Sequence, residues 1–113
     1  MFTIDDLKVF GADTKDGLDR CMGNEEFYFK LIAKAIEDKN FANLENALAG
    51  GDLDAAFEAS HSLKGVLGNL ALTPLYKPVN EMTELLRNRS DTDYKPYLDE
   101  LLARKKELKD LME

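Results

Sequence analysis

Residues 52–72 read DLDAAFEASHSLKGVLGNLAL, and the spacing of their apolar residues decides the fold. Laid out at about 100° per residue, Ala56, Ala59, Leu63, Val66, Leu67 and Leu70 fall on one side, the stripe that an α-helix turns to a core. Asp52, just after Gly50 and Gly51, is a favoured N-cap type and opens this helix, which should stop near Leu72. A second stripe, roughly opposite, carries His61, Lys64, Gly65 and Gly68 at i, i+3, i+4 and i+7, with Asp54, Phe57 and Glu58 ahead of them. His61 is the only histidine in the chain. Its phase points it outward.

Working away from this helix, the pattern stays helical, and no sustained alternation of period two suggests a strand. Thr3 with Asp6 three residues later resembles a capping box, and Gly11 is a C-terminal stop for a short helix at about 4–10. Asp13 or Thr14 caps a second short helix running to Gly23. Asn24, followed by Glu25 and Glu26, caps a longer segment that extends towards Gly50. Its apolar face changes phase near Lys39 and Asn40, from Phe27, Leu31 and Ala35 to Phe41, Leu44 and Leu48, so one bent helix and two separate ones both remain open. Thr73 before Pro74 is a hydroxyl cap with proline at the first helical position. Leu75, Val79, Met82 and Leu86 make the inward stripe of that helix, within which Pro78 removes one early hydrogen bond. Arg87 to Asp93 reads as a loop. A last helix from about 94 to 112 turns Tyr94, Leu98, Leu101, Leu108 and Met112 inward.

The expected fold is therefore all-α: an antiparallel four-helix bundle over 24–112, covered by short extra N-terminal helices in 1–23, the whole 1–113 forming one domain. At 113 residues there is no room for a second catalytic module. With 15 basic and 22 acidic residues the net charge is −7, which argues against nucleic-acid binding and against anionic membrane surfaces. No stretch has the roughly 18 consecutive apolar residues of a membrane span. The first residues lack the basic region of a signal peptide, so a reducing cytoplasm is the expected location. Cys21, the single cysteine, is expected to be a plain buried thiol.

Two glycines inside a helix cost roughly 1 kcal/mol each relative to alanine. Both stand on the stripe of His61, where a missing Cβ would clear the approach to the imidazole. At neutral pH an exposed imidazole is mostly neutral and keeps a lone pair that can attack phosphorus. A phosphoryl group on it adds close to two negative charges, which an ammonium at i+3, Lys64, can offset. The types and spacing suit a cradle for a phosphoryl group on a side-chain nitrogen.

The run from Ala59 to Leu70, with His61-Ser62-Leu63-Lys64-Gly65 and then Gly68-Asn69-Leu70, resembles the histidine-containing phosphotransfer (HPt) domain of two-component phosphorelays. That family's pattern is His-x-Leu-Lys-Gly, followed by small residues and Asn-Leu-Gly, and the resemblance spans roughly residues 24–90. Val66 and Leu67 stand where small or polar residues are common, and Ala71 replaces the usual glycine. The resemblance implies a monomeric four-helix bundle that takes a phosphoryl group from the aspartyl-phosphate of one receiver domain and gives it to an aspartate of another. It makes His61 the phosphorylated residue, Lys64 the stabilising charge and Gly65 the clearance for a partner, and it puts Gly68, read above as a second clearing, where the family tolerates only small side chains. Phe57 and Glu58, at the edge of the stripe, are candidate docking contacts. Response-regulator receiver domains and a sensor or hybrid histidine kinase are the implied partners. No cofactor is implied for this chain, since magnesium would sit in the receiver's acidic pocket. The chain would be a carrier and not an enzyme, lacking the phosphate cradles that a kinase needs.

Three other readings compete. Glu58-x-x-His61 matches the spacing of di-iron bundles, but such a site needs a second histidine and further inward glutamates. A helical adaptor could dock receiver domains or a kinase without carrying phosphate. Arg104, Lys105, Lys106 and Lys109 could form a basic face, but Glu100, Glu107 and Asp110 interleave with them and suggest a salt-bridged surface.

Overall fold

Most helix starts in this chain are fixed by short polar side chains that accept otherwise unbonded first amides. The computed structural model describes residues 2–113; Met1, at the head of the segment expected over 1–23, lies outside the described residues. In α1 (Ile4–Phe10), Thr3 and Asp6 form a reciprocal capping box with bonds of 3.2 and 2.9 Å, and Gly11 closes the helix at φ +112°. Asp13 caps α2 (Thr14–Arg20), which stops at Arg20 and leaves residues 21–23 as a turn, three short of the expected end. Asn24 caps α3 (Glu25–Ala35) through the Phe27 amide. Asp52 does the same for α5 (Leu53–Asn69) through Ala55.

The open question over residues 24–49 resolves as two helices. After α3 the chain makes a turn in which the Asp38 carboxylate accepts the Asn40 amide at 2.8 Å, and α4 (Asn40–Ala49) restarts from there. The buried face of α3 is Tyr28, Ile32 and Ala35, one residue out of phase with the expected Phe27 and Leu31; Phe27 is 45% exposed. A side-chain hydrogen bond gives the reason. The Tyr28 hydroxyl donates to the Leu70 carbonyl at 2.6 Å, so a fully buried tyrosine takes the place of a phenylalanine. Gly17 makes this possible, because a Cβ there would lie 2.1 Å from the Tyr28 oxygen.

Thr73 is not a cap. Helix α6 (Thr73–Arg87) has Leu72 at its N-cap with no side-chain bond, and the Leu72 carbonyl accepts the Tyr76 amide at 2.8 Å. Leu72 is fully buried, and the preceding Ala71 turns the chain at φ +55°, a left-handed conformation that favours the glycine of the resembled pattern. The start of α6 is thus set one residue early by packing. Pro78 costs α6 a hydrogen bond without ending it. Arg87, placed in the expected loop, is its last helical residue. Helix α7 (Lys95–Met112) completes the chain.

Short connections make neighbouring helices antiparallel: α5 packs against α4 and α6, and α6 against α7. The described residues contain helices and no strand. Leu44, Leu63, Leu67, Leu75, Val79, Met82, Leu101 and Leu108 are fully buried in one hydrophobic cluster, which Leu7 and Phe10 of α1 join. Cys21 is a free buried thiol. The basic residues of α7 are matched: Lys106 meets Asp110 at 2.8 Å, Arg104 meets Glu107 at 2.7 Å, Lys109 faces Glu37, and Lys105 lies 4.8 Å from the centre of the Phe41 ring. Among the described residues, no helix is long and apolar enough to cross a membrane.

Burial, with the nearby Cys21, Asp13 and Asp16 adding to it, pushes the Tyr28 hydroxyl up to about 12. A folded-state value above the unfolded one means that this stabilisation is complete below pH 10 and is lost as pH rises from 10 towards 12. The loss amounts to about 3 kcal/mol at most. Urea unfolding across that range should show this fall, and Tyr28→Phe should flatten it. An equal alkaline fall in the variant would refute the assignment. Gly17→Ala should lower stability by about 1–3 kcal/mol through the clash with Tyr28, read as a shift in the thermal midpoint.

Candidate functional site

The site is assembled on the outward face of α5 and completed from α6. On the inward face, Ala56, Ala59, Ser60, Leu63 and Leu67 are buried. Ser60 stands immediately before His61, and its hydroxyl lies 2.5 Å from that of Thr83, which donates to the Val79 carbonyl at 2.6 Å. Both residues are fully buried. This polar pair pins α5 to α6 at the level of the histidine. Sequence reasoning passed over it, although Ser60 lies i+4 from Ala56 and i−3 from Leu63 on the core stripe.

His61 is exposed. Its ring stacks on that of Phe57, one turn earlier, with centroids 5.6 Å apart and planes 11° from parallel. The Arg87 guanidinium, from the end of α6, lies 5.1 Å from the centre of the same phenyl ring. Phe57 is half-buried against the core cluster. Its ring lies against the imidazole on one side, and part of it stays open to solvent. Glu58 is exposed at the ridge between a cleft towards Arg87 and Arg89 and a groove towards Asn40, Asn43 and Asn46 of α4.

The two glycines play different parts. A Cβ at Gly65 would meet nothing within 4 Å, so the surface one turn beyond His61 is open. A Cβ at Gly68 would lie 3.1 and 3.3 Å from two carbons of the Tyr76 ring. The room expected there for a partner is taken by a side chain of α6, and Gly68 serves helix packing.

Lys64 shares the stripe of His61, but its ammonium is engaged with Glu84 of α6 at 3.3 Å, and its side chain is 25% exposed. The other oxygen of Glu84 faces Arg87 Nε at 3.5 Å. Neither Glu84 nor Arg87 was among the expected site residues. The only signal for them was their place near the exposed end of the α6 stripe, which does not tell which helix lies opposite. Among the described residues, no three His, Cys, Asp or Glu side chains converge as a metal site would require. The single histidine already argued against the di-iron reading.

Comparison with protein families gives a match to the Hpt domain over residues 34–113. The chain belongs to the Hpt domain family. Comparisons with curated proteins and with solved structures give no match. Hpt domains are helical phosphocarrier modules of two-component phosphorelays, not enzymes, and they interact with receiver domains and histidine kinases. The match begins in α3 and covers α4 to α7, so the Hpt assignment includes both helices that build the site. Helices α1 and α2 stand before it.

The contrast between the glycines is testable by stability alone. Gly65→Ala should raise stability by about 0.5–1 kcal/mol, because helix propensity improves and nothing is displaced. Gly68→Ala should gain less or lose, since Tyr76 must give way. Equal gains in chemical denaturation would show that Tyr76 places no constraint on Gly68.

Proposed function

We propose that His61 is the phosphoryl carrier of this Hpt domain, accepting the group from a receiver-domain aspartyl-phosphate and passing it to another receiver aspartate. One observation carries the reading: the sole imidazole of the chain is exposed on a helix whose next turn, at Gly65, is open to a bulky partner. In the forward step a ring nitrogen of neutral His61 forms a bond to phosphorus as the acyl P–O bond breaks. The aspartate leaves as a carboxylate, and the other ring nitrogen keeps its proton. The phosphorylated ring holds the positive charge until that proton is lost or the group is passed on by the same exchange in reverse.

The remaining residues act on position and charge. Phe57 holds the plane of the ring, Lys64 supplies an ammonium on the same stripe of the helix, and Gly65 gives the receiver clearance. Gly68 helps indirectly, by letting Tyr76 pack against the helix. Glu58 on the exposed ridge is a docking contact. The chain needs no cofactor of its own, and magnesium belongs to the receiver's acidic pocket. It acts as a cytoplasmic monomer between receiver domains and a sensor or hybrid histidine kinase.

Mixing the protein with a radiolabelled phospho-receiver should move acid-labile label onto the wild type and none onto His61→Gln. Lys64→Ala should slow transfer roughly tenfold, the equivalent of ~1.4 kcal/mol, without lowering the thermal midpoint. Label on the His61 variant, or none on the wild type, would defeat the carrier reading; in the second case, retained receiver binding would identify an adaptor.

A further inference from the structure

The ammonium that should serve a phosphoryl group on His61 already has a partner. Lys64 Nζ lies 3.3 Å from one oxygen of Glu84, whose other oxygen faces Arg87 Nε at 3.5 Å. Glu84 is held at this height, because its neighbour Thr83 is fully buried and bonded to Ser60, the neighbour of His61. Arg87 is three residues along the same helix, so Glu84 keeps one cationic partner when Lys64 departs. A phosphoryl dianion must therefore take Lys64 from a carboxylate that does not move away.

We infer that Glu84 is a positioning residue that competes for Lys64 and thereby keeps phosphorylated His61 less stable, and readier to donate, than an uncontested lysine would leave it. This rests on the carrier reading of His61. The competition is an exchange of ion pairs: the Lys64 ammonium leaves Glu84 for the phosphoryl oxygens, and Glu84 retains Arg87. No bond is made or broken in that exchange. With its side chain 50% exposed, Glu84 gives only the modest coupling of a solvated pair, which suits tuning and not blockade.

The test needs no partner protein. Phosphoramidate phosphorylates an imidazole as ammonia leaves phosphorus, and loss of the group to water can be followed by phosphorus NMR. Wild type, Glu84→Gln, Lys64→Met and the double variant are loaded in this way. Glu84→Gln should lengthen the lifetime of phosphohistidine about two- to fivefold. The gain should shrink as salt screens the charges and vanish in the Lys64→Met background. Equal lifetimes in wild type and Glu84→Gln, a gain that persists without Lys64, or a gain indifferent to salt would each overturn the role of Glu84 while leaving the carrier reading intact. Wild type that takes no phosphoryl group on His61 would bring down both.

Discussion

Two hydroxyls at the seam between α5 and α6 set the frame for everything on the surface above them. Burying a hydroxyl without a partner costs free energy, so Ser60 and Thr83 are tolerated in the interior only when they meet each other and the Val79 carbonyl. The hydrogen-bonded pair adds a directional constraint to the register in which the leucines along the same seam pack. That register brings Lys64 and Glu84, from separate helices, into contact, and sets Arg87 over Phe57. The exposed chemistry is thus held by a buried constraint one residue away.

Seen this way the site belongs to two helices, although its motif lies on one. α5 contributes the imidazole, its aromatic support, the ammonium and the open glycine. α6 contributes a carboxylate, a guanidinium and the tyrosine that fills the space beside Gly68. Helix spacing defines the first set, because i, i+3 and i+4 neighbours share a face whatever the tertiary fold. The second set depends on which turn of α6 lies opposite which turn of α5.

This separation explains what could be read from the sequence. The all-α class, the caps at Thr3, Asn24 and Asp52, the buried stripe from Leu75 to Leu86 and the outward phase of His61 are local consequences of spacing, and the fold has them; of Asp13 and Thr14, both open as the cap of α2, it uses Asp13. Reading failed where tertiary contacts overruled local signals. The run Phe27-Tyr28-Phe29 offers three aromatic phases, and the choice falls to Tyr28 because a carbonyl at the end of α5 accepts its hydroxyl. Thr73 looks like a cap, yet the buried Leu72 claims that position. The break between α3 and α4 was visible as a phase change near Lys39 and Asn40, but only the Asp38–Asn40 bond separates a break from a bend. Gly68 and Phe57 lie on the expected stripe, but Tyr76 beside the one and Arg87 beside the other come from α6.

The far end of α5 carries a different lesson. The carbonyls just beyond it, at Leu70 and Ala71, are met by the Tyr28 hydroxyl and the Asp13 amide, both from the stretch that precedes the Hpt match at residue 34. The end of the helix that carries the histidine is therefore closed by residues that stand before the Hpt match. This closure makes no contact with the imidazole and asks only that a hydroxyl and an amide arrive there. His61 stands at the middle of α5, more than two turns before this closure, so the reactive ring and the end of its helix rest on separate contacts.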